Sequence, residues 1–168
     1  YLCFNYPNQN LITSLRFFNV FGLNENHKFG MASPIHTFNE QAKSLSIISL
    51  FKEYSDSELY QRDFVDVNDI VKLISILFPR RDLQSIYDAG TGRASSFKQI
   101  ASEIATWWNK HGKKIEIKEI DFPKKLKGSY QKYTCANMNY LDSLNIGWRP
   151  KNTIQSIENF LNKTNIVE

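Results

Sequence analysis

The stretch Leu11-Ile12-Thr13-Ser14-Leu15-Arg16-Phe17-Phe18-Asn19-Val20-Phe21-Gly22 decides how the rest of the chain is read. Leu11, Ile12, Leu15, Phe17, Phe18, Val20 and Phe21 crowd one short run. Gly22 and a polar loop to Lys28 then stop it, which is the pattern of a buried strand that delivers its last residues to a loop. In open α/β sheets, ligands sit at such strand ends. The residues from Asn19 to Gly30 are therefore the first place to look for a site.

Reading outward, helices and strands alternate. Ala32 to Lys43 has helical spacing in Ile35, Phe38 and Ala42, with Pro34 tolerated in the first turn, where a missing N–H costs nothing. Leu45 to Phe51 reads as a strand, Ser55 to Glu58 as a polar tip, and Leu59 to Val65 as an extended return. Asn68 to Phe78 is a helix apolar nearly all round, expected to be covered on several sides. Ser85 to Ala89 is a short strand entering Gly90-Thr91-Gly92. Ser96, with Gln99 three residues on, starts a helix whose buried stripe is Phe97, Ile100, Ala101, Ile104 and Trp108. Ile115 to Ile120 alternates as a strand, and Ile154 to Leu161 is a last amphipathic helix. The class is α/β. The strands are too few for a complete doubly wound sheet, so the chain reads as part of a larger architecture.

The 168 residues suffice for one domain with a real core. Hydrophobic residues make up 42% and charged residues 23%, ordinary values for a globular protein. The balance of 21 basic and 17 acidic residues leaves +4, which suits an anionic small molecule as well as nucleic acid. No apolar run reaches the length of a membrane helix. Cys3 and Cys135 form no disulfide framework or metal spacing, so a cytoplasmic setting is expected. His27, His36 and His111 show no ligand spacing, and no metal is expected.

Several motifs carry candidate chemistry. Gly90-Thr91-Gly92-Arg93-Ala94-Ser95 follows a strand and opens a helix, the context of a dinucleotide fingerprint, but Ser95 breaks its third small position. A structural turn fits better. In Arg62-Asp63-Phe64-Val65-Asp66-Val67-Asn68-Asp69, the pair Asn68 and Asp69 reads as helix capping, while Arg62 could fork onto phosphate oxygens. Lys28 lies in the loop after the first strand, beside Gly30. The cluster Lys124-Lys125-Leu126-Lys127 with Tyr130 fits a solvated loop, a nucleic-acid surface or a clamp on an anionic ligand.

Together, Leu15-Arg16-Phe17-Phe18-Asn19-Val20-Phe21-Gly22, His27-Lys28, Met31-Ala32-Ser33, Arg62-Asp63-Phe64-Val65, Gly90-Thr91-Gly92-Arg93, Asp121-Phe122-Pro123 and Leu126-Lys127-Gly128-Ser129-Tyr130-Gln131 are far more specific than any part. In this order they resemble the C-terminal part of the extended short-chain dehydrogenase/reductases. The His-Lys and Leu-Lys-Gly-x-Tyr-Gln pieces point within them to the ADP-heptose 6-epimerase family. The resemblance implies that residues 1–168 are the C-terminal portion of an NAD(P)-dependent epimerase domain: the last part of a Rossmann-type sheet plus a small α/β substrate lobe. The cofactor-binding N-terminal half, with its Tyr-x-x-x-Lys pair, would be absent, and the chain alone is expected to be inactive. Tyr1-Leu2-Cys3-Phe4-Asn5-Tyr6 resembles the residues that follow that pair.

The implied chemistry is inversion of a carbon that bears a C–H beside a hydroxyl, with no adjacent carbonyl. Proton abstraction there is implausible, so the resemblance implies hydride removal and return with NADP, each needing an acid/base on the oxygen. Lys28 would be one such group and would also touch the cofactor, beside Val20. Asn19, Phe51, Lys52, Arg62 and Tyr130 would hold the ADP-heptose. A substrate serine of the family falls at Gly30 and a substrate histidine at Thr37, with His36 one residue early. The family further implies a homo-oligomer, pentamer-like, with no nucleic acid or membrane partner. The alternatives are another nucleotide-sugar epimerase or dehydratase, or a non-catalytic basic binding module built on Lys124 to Lys127.

Overall fold

The computed structural model of the chain describes residues 12–52, 60–83, 86–123 and 131–165. The deciding apolar run forms two successive strands, β1 (Ser14–Phe17) and β2 (Asn19–Phe21), parted only by Phe18. They are separate because their partner changes. β1 pairs in parallel with β6 (Ile86–Ala89), whereas β2 pairs in parallel with β5 (Phe64–Asp66). At the changeover the Phe18 N–H donates to the Ala89 carbonyl at 3.1 Å and the Asn19 N–H to the Asp63 carbonyl at 2.9 Å.

The next elements follow their sequence signals. The Ser33 hydroxyl caps α1 (Pro34–Leu45), accepting the His36 N–H at 3.1 Å, and Pro34 occupies the first turn. Ser46 takes the left-handed conformation (φ 56°) that ends the helix and turns the chain into β3 (Ile47–Phe51). β3 pairs in parallel with β8 (Glu116–Ile120). β4 (Gln61–Arg62) lies between β7 (Ser95–Ser96), antiparallel to it, and β9 (Tyr133–Thr134), parallel to it. The helices α2 (Val67–Leu77), α3 (Phe97–Lys110), α4 (Asn139–Ser143) and α5 (Thr153–Thr164) complete the described chain. Ser96 starts α3 as expected, its hydroxyl accepting the Gln99 N–H at 3.1 Å. Parallel strand pairs joined through helices make the architecture α/β.

Side-chain alternation along β5 divides the interior. Phe64 joins Phe21, Ile35, Ile48, Phe97 and Ile100 in one core, and its neighbour Val65 joins Ile70, Leu73, Tyr87 and Trp148 in another. The C-terminal segment closes both. The Thr153 hydroxyl donates to the Phe64 carbonyl at 3.1 Å, and the Trp148 indole N–H donates to the Asp69 carbonyl at 3.0 Å.

Two expectations about α2 are corrected. Its cap is Asp66, whose carboxylate accepts the Asn68 N–H at 2.7 Å, because Asp66 is the last residue with extended backbone. Asp69 is instead buried, accepting the Lys151 N–H at 2.9 Å and standing 3.6 Å from the Lys72 ammonium. Among the described residues the helix is also covered on one side only. Ile70, Leu73 and Leu77 are buried, while Val71, Ile74 and Phe78 are exposed.

Asp63 joins these parts. Its fully buried carboxylate accepts the Thr91 N–H (2.8 Å) and hydroxyl (2.6 Å), the Gly92 N–H (2.9 Å) and the Ala136 N–H (3.1 Å). Gly90 is what lets that turn approach: a Cβ there would lie 2.6 Å from both Asp63 Oδ2 and the Ala136 Cβ. Asp63→Ala would orphan several buried N–H groups at about 1–3 kcal/mol each, whereas Asp66→Ala removes one helix cap worth about 1 kcal/mol. Urea denaturation should therefore show Asp63→Ala to be the costlier change by about 2 kcal/mol or more.

Candidate functional site

β2 ends beside a hollow of about 610 Å³. Its wall takes Asn19 and Val20 from β2, Glu25, Lys28 and Gly30 from the 3-10 segment Glu25–Met31, Ser33, Thr37 and Phe38 from the start of α1, Phe51 from β3, and Phe97 from α3. The strand that decides the fold thus delivers its last residues to the concavity. The two charged groups, Glu25 and Lys28, lie on the 3-10 side, while the β3 and α3 side carries the rings of Phe51 and Phe97 together with Ser49. Such a wall can hold a ligand with one charged or hydroxylated end and one flat end.

Glu25 organises the polar side. It is 2% exposed, yet carries a carboxylate onto which four donors converge. Oε1 accepts the Gly22 N–H at 3.1 Å and the Ser33 hydroxyl at 2.8 Å; Oε2 accepts the Ser33 N–H at 2.8 Å and the Lys28 ammonium at 3.3 Å. Burial pushes the Glu25 carboxyl up, but the Ser33 and Gly22 donors and the Lys28 charge outweigh it and hold its pKa below the ordinary value. Ser33 also caps α1, so the carboxylate, the helix start and the ammonium form one connected unit.

Of the residues singled out in the sequence, the structure brings Asn19, Val20, Lys28 and Phe51 onto this one wall. Lys52 follows Phe51 directly, with its ammonium 2.7 Å from Asp121 Oδ1 in an exposed pair. An exposed pair of that kind is worth about 0–1 kcal/mol, so a phosphate could displace it. Arg62 is buried behind the wall rather than on it. Its guanidinium donates to the Gln61 carbonyl at 2.8 Å and to the Gln131 carbonyl, and lies 5.9 Å from the centroid of Phe97, which does line the hollow. Tyr130 and the Lys124 to Lys127 cluster lie outside the described residues, as do residues 1–11 and the polar tip at 55–58. Gly30 and Thr37 both face the hollow, whereas His36 is buried and is not among the residues that line it.

The Gly90-Thr91-Gly92 turn is structural. Its Thr91 and Gly92 N–H groups are taken by Asp63, so they form no cradle for a pyrophosphate. Val20 and Lys28 share one wall of the hollow; a pyrophosphate cradle is not among the described residues. These contain no cluster of His, Cys, Asp and Glu suited to a metal ion, and no helix among them is long and apolar enough to cross a membrane. Sequence reasoning missed Glu25, Ser33 and Phe97 as parts of the site. Ser33 was detectable as the residue before a helix-opening proline, but nothing in a polar loop distinguishes a glutamate that folds inward.

Comparison with known proteins bears on the family and the fold. Residues 1–90 match the NAD dependent epimerase/dehydratase family. The ADP-L-glycero-D-manno-heptose-6-epimerase of Alkalilimnicola ehrlichii is 43% identical over 133 residues, which are 77% of this chain and 40% of that protein. Among solved structures, the ADP-L-glycero-D-manno-heptose-6-epimerase of Helicobacter pylori superposes with a TM-score of 0.76 at 22% identity, covering 99% of this chain and 48% of that one. The Thermus thermophilus UDP-glucose 4-epimerase complexed with NAD gives 0.70 at 23% identity, covering 92% and 47%. The fold is therefore that of the Rossmann-type extended epimerases, and the chain spans less than half the length of these relatives.

The Glu25 cluster has a pH signature. A carboxyl whose folded pKa is depressed adds stability that is complete above its unfolded pKa, about 4.5, and is lost as pH falls through the folded value. Urea midpoints of the wild type should fall below about pH 4.5, and Glu25→Gln, less stable at pH 7, should lack part of that fall.

Proposed function

The chain belongs to the NAD dependent epimerase/dehydratase family, and on that premise we propose that it is the sugar-binding, C-terminal part of an ADP-glyceromanno-heptose 6-epimerase. The reaction is conversion of ADP-D-glycero-D-manno-heptose to ADP-L-glycero-D-manno-heptose. One observation carries the reading: Asn19, Val20, Lys28 and Phe51, chosen for this chemistry from sequence, line one hollow. The 43% identity to the Alkalilimnicola relative supports the choice of sugar.

In this reading a bound NADP supplies hydride removal and return at the inverted carbon. The chain's own residues hold the sugar and manage its proton. Lys28, at the wall and partly exposed, exchanges a proton with the reacting oxygen in one of the two sugar orientations, the tyrosine of the Tyr-x-x-x-Lys pair in the cofactor-binding half serving the other. Asn19 is fixed for hydrogen bonding to the sugar, since its backbone N–H and its side-chain amide both donate to the Asp63 carbonyl, at 2.9 and 3.4 Å. Phe51 offers a half-buried ring to the adenosine end, with Lys52 beside it for phosphate. Arg62 would reach phosphate only by leaving its carbonyl partners, so its role in this reading is to back Phe97 and add positive charge behind the wall. Oligomerisation belongs to the proposal for the whole enzyme.

A second reading, a related nucleotide-sugar epimerase or dehydratase, draws on Gly30 and Thr37 at the hollow, where no histidine is presented. A direct assay separates the two. In an enzyme that unites this chain with a cofactor-binding half, ADP-D-glycero-D-manno-heptose should be epimerised and UDP-sugars left unchanged. Lys28→Met should lower turnover by about 10²- to 10⁴-fold, the usual worth of a positioned acid/base. Turnover of UDP-sugars alone favours the second reading, and near wild-type turnover by Lys28→Met removes Lys28 from the chemistry.

A further inference from the structure

Lys28 is the amine on which the proposed chemistry turns, and a lysine at the rim of a hollow has four side-chain torsions through which to wander. Its local structure restricts it. Glu25 and Lys28 lie three apart in a 3-10 segment, where side chains at that spacing eclipse and project to the same side. The ammonium is therefore delivered to the Glu25 carboxylate, at 3.3 Å, while remaining 40% exposed toward the hollow.

The carboxylate itself cannot move to follow the lysine. Gly22 and Ser33 hold it through backbone N–H groups and a hydroxyl, at 2.8–3.1 Å. Helix capping does not explain a charge in this place, because the Ser33 hydroxyl already caps α1. A buried, rigid anion whose one charged partner faces the hollow is a fixed point for that partner. The depressed pKa of Glu25 agrees with a carboxylate kept ionised there.

We infer that Glu25 is a positioning residue, whose buried carboxylate tethers the Lys28 ammonium to the wall of the hollow and so fixes where that amine can meet a ligand. The tether stands independently of the reaction; only its consequence for turnover rests on the epimerase reading.

Trace acetylation of the intact chain, read lysine by lysine by peptide mass spectrometry, tests it. Acylation needs the amine lone pair, which a tethered ammonium withholds. In Glu25→Gln, Lys28 labelling should rise about two- to fivefold relative to Lys98 and Lys110, the worth of a partly exposed ion pair. Glu25→Asp, with the charge kept but one methylene shorter, should fall between. Unchanged Lys28 labelling in a folded Glu25→Gln protein overturns the inference. Should Glu25→Gln unfold, raising all lysines together, Ser33→Ala decides: removing an anchor should raise Lys28 labelling selectively, and no selective rise overturns the tether. In the epimerase assay, Glu25→Gln should lower kcat with little change in KM and add nothing to Lys28→Met. Independent, additive losses would overturn the positioning role. Failure of the epimerase reading looks different: no variant turns over, while the labelling contrast persists.

Discussion

A buried carboxylate with backbone N–H groups as its main partners is the constraint on which the rest of this structure depends. Asp63 sits at 0% exposure between β4 and β5 and draws to itself the turn after β6 and the segment after β9. Leaving such a charge without donors inside the protein would cost several kcal/mol, so the fold forms only when distant stretches arrive together. Asp63 is 28 residues from Thr91 and 73 from Ala136, which makes the contact a long-range lock rather than a local turn. Its backbone acts in the same place: the Asp63 N–H donates to the Thr134 carbonyl at 3.0 Å, and its own carbonyl accepts from Asn19.

That last bond carries the constraint into the hollow. Asn19 is the residue at which the first strand changes partner, and the Asp63 carbonyl receives both its backbone and its side-chain N–H. Three residues later, the Gly22 N–H donates to the second buried carboxylate, Glu25. The short run from Asn19 to Glu25 is thus pinned at both ends by acidic residues that face inward. Anchored side chains of this kind are what a site needs if its groups are to stay in place as a ligand enters. The Lys28 ammonium, 40% exposed at the wall, is already paired with that carboxylate.

How much of this could be read from the sequence follows from the range of the forces involved. Periodicity and capping are local, so α1 and α3, with Pro34 and Ser96, were legible, as were β3 and β8, although α1 starts after Ser33 rather than at Ala32. The split of one apolar run into β1 and β2 was not, because it records which distant strand lies alongside. For the same reason Asn68 and Asp69 looked like caps. Locally any of Asp66, Asn68 and Asp69 could serve, and only the path of the segment at Lys151 pulls Asp69 away. The wall residues Asn19, Val20, Lys28 and Phe51 were found through motif order rather than through physics, while Glu25 carried no local mark. The all-round apolar pattern of α2 stated what the helix could bury, not what it buries in the described chain, where Val71, Ile74 and Phe78 remain exposed.

The glycine-containing turn shows why a motif must be weighed against hydrogen-bond supply. Gly90-Thr91-Gly92 has the strand before it and the helix after it that an anion cradle requires, and Gly92 adopts φ 71°. A backbone N–H serves one strong acceptor at a time, and here the acceptor is supplied by the protein. An external phosphate at this turn would compete with a carboxylate already held by three backbone N–H groups and a hydroxyl. The turn therefore stabilises the fold, and the charged groups left for an anionic ligand are side chains rather than this backbone. The Lys28 side chain on the wall is 40% exposed, and that of Lys52, next in sequence to the wall residue Phe51, is 59% exposed. The exposed Asp121 carboxylate holds Lys52 weakly enough to exchange, whereas Lys28 is paired with the buried Glu25. Separating the two tasks, backbone donors for the fold and side-chain charges at the hollow, lets the Asp63 lock and the Glu25–Lys28 pair stand in the same small region.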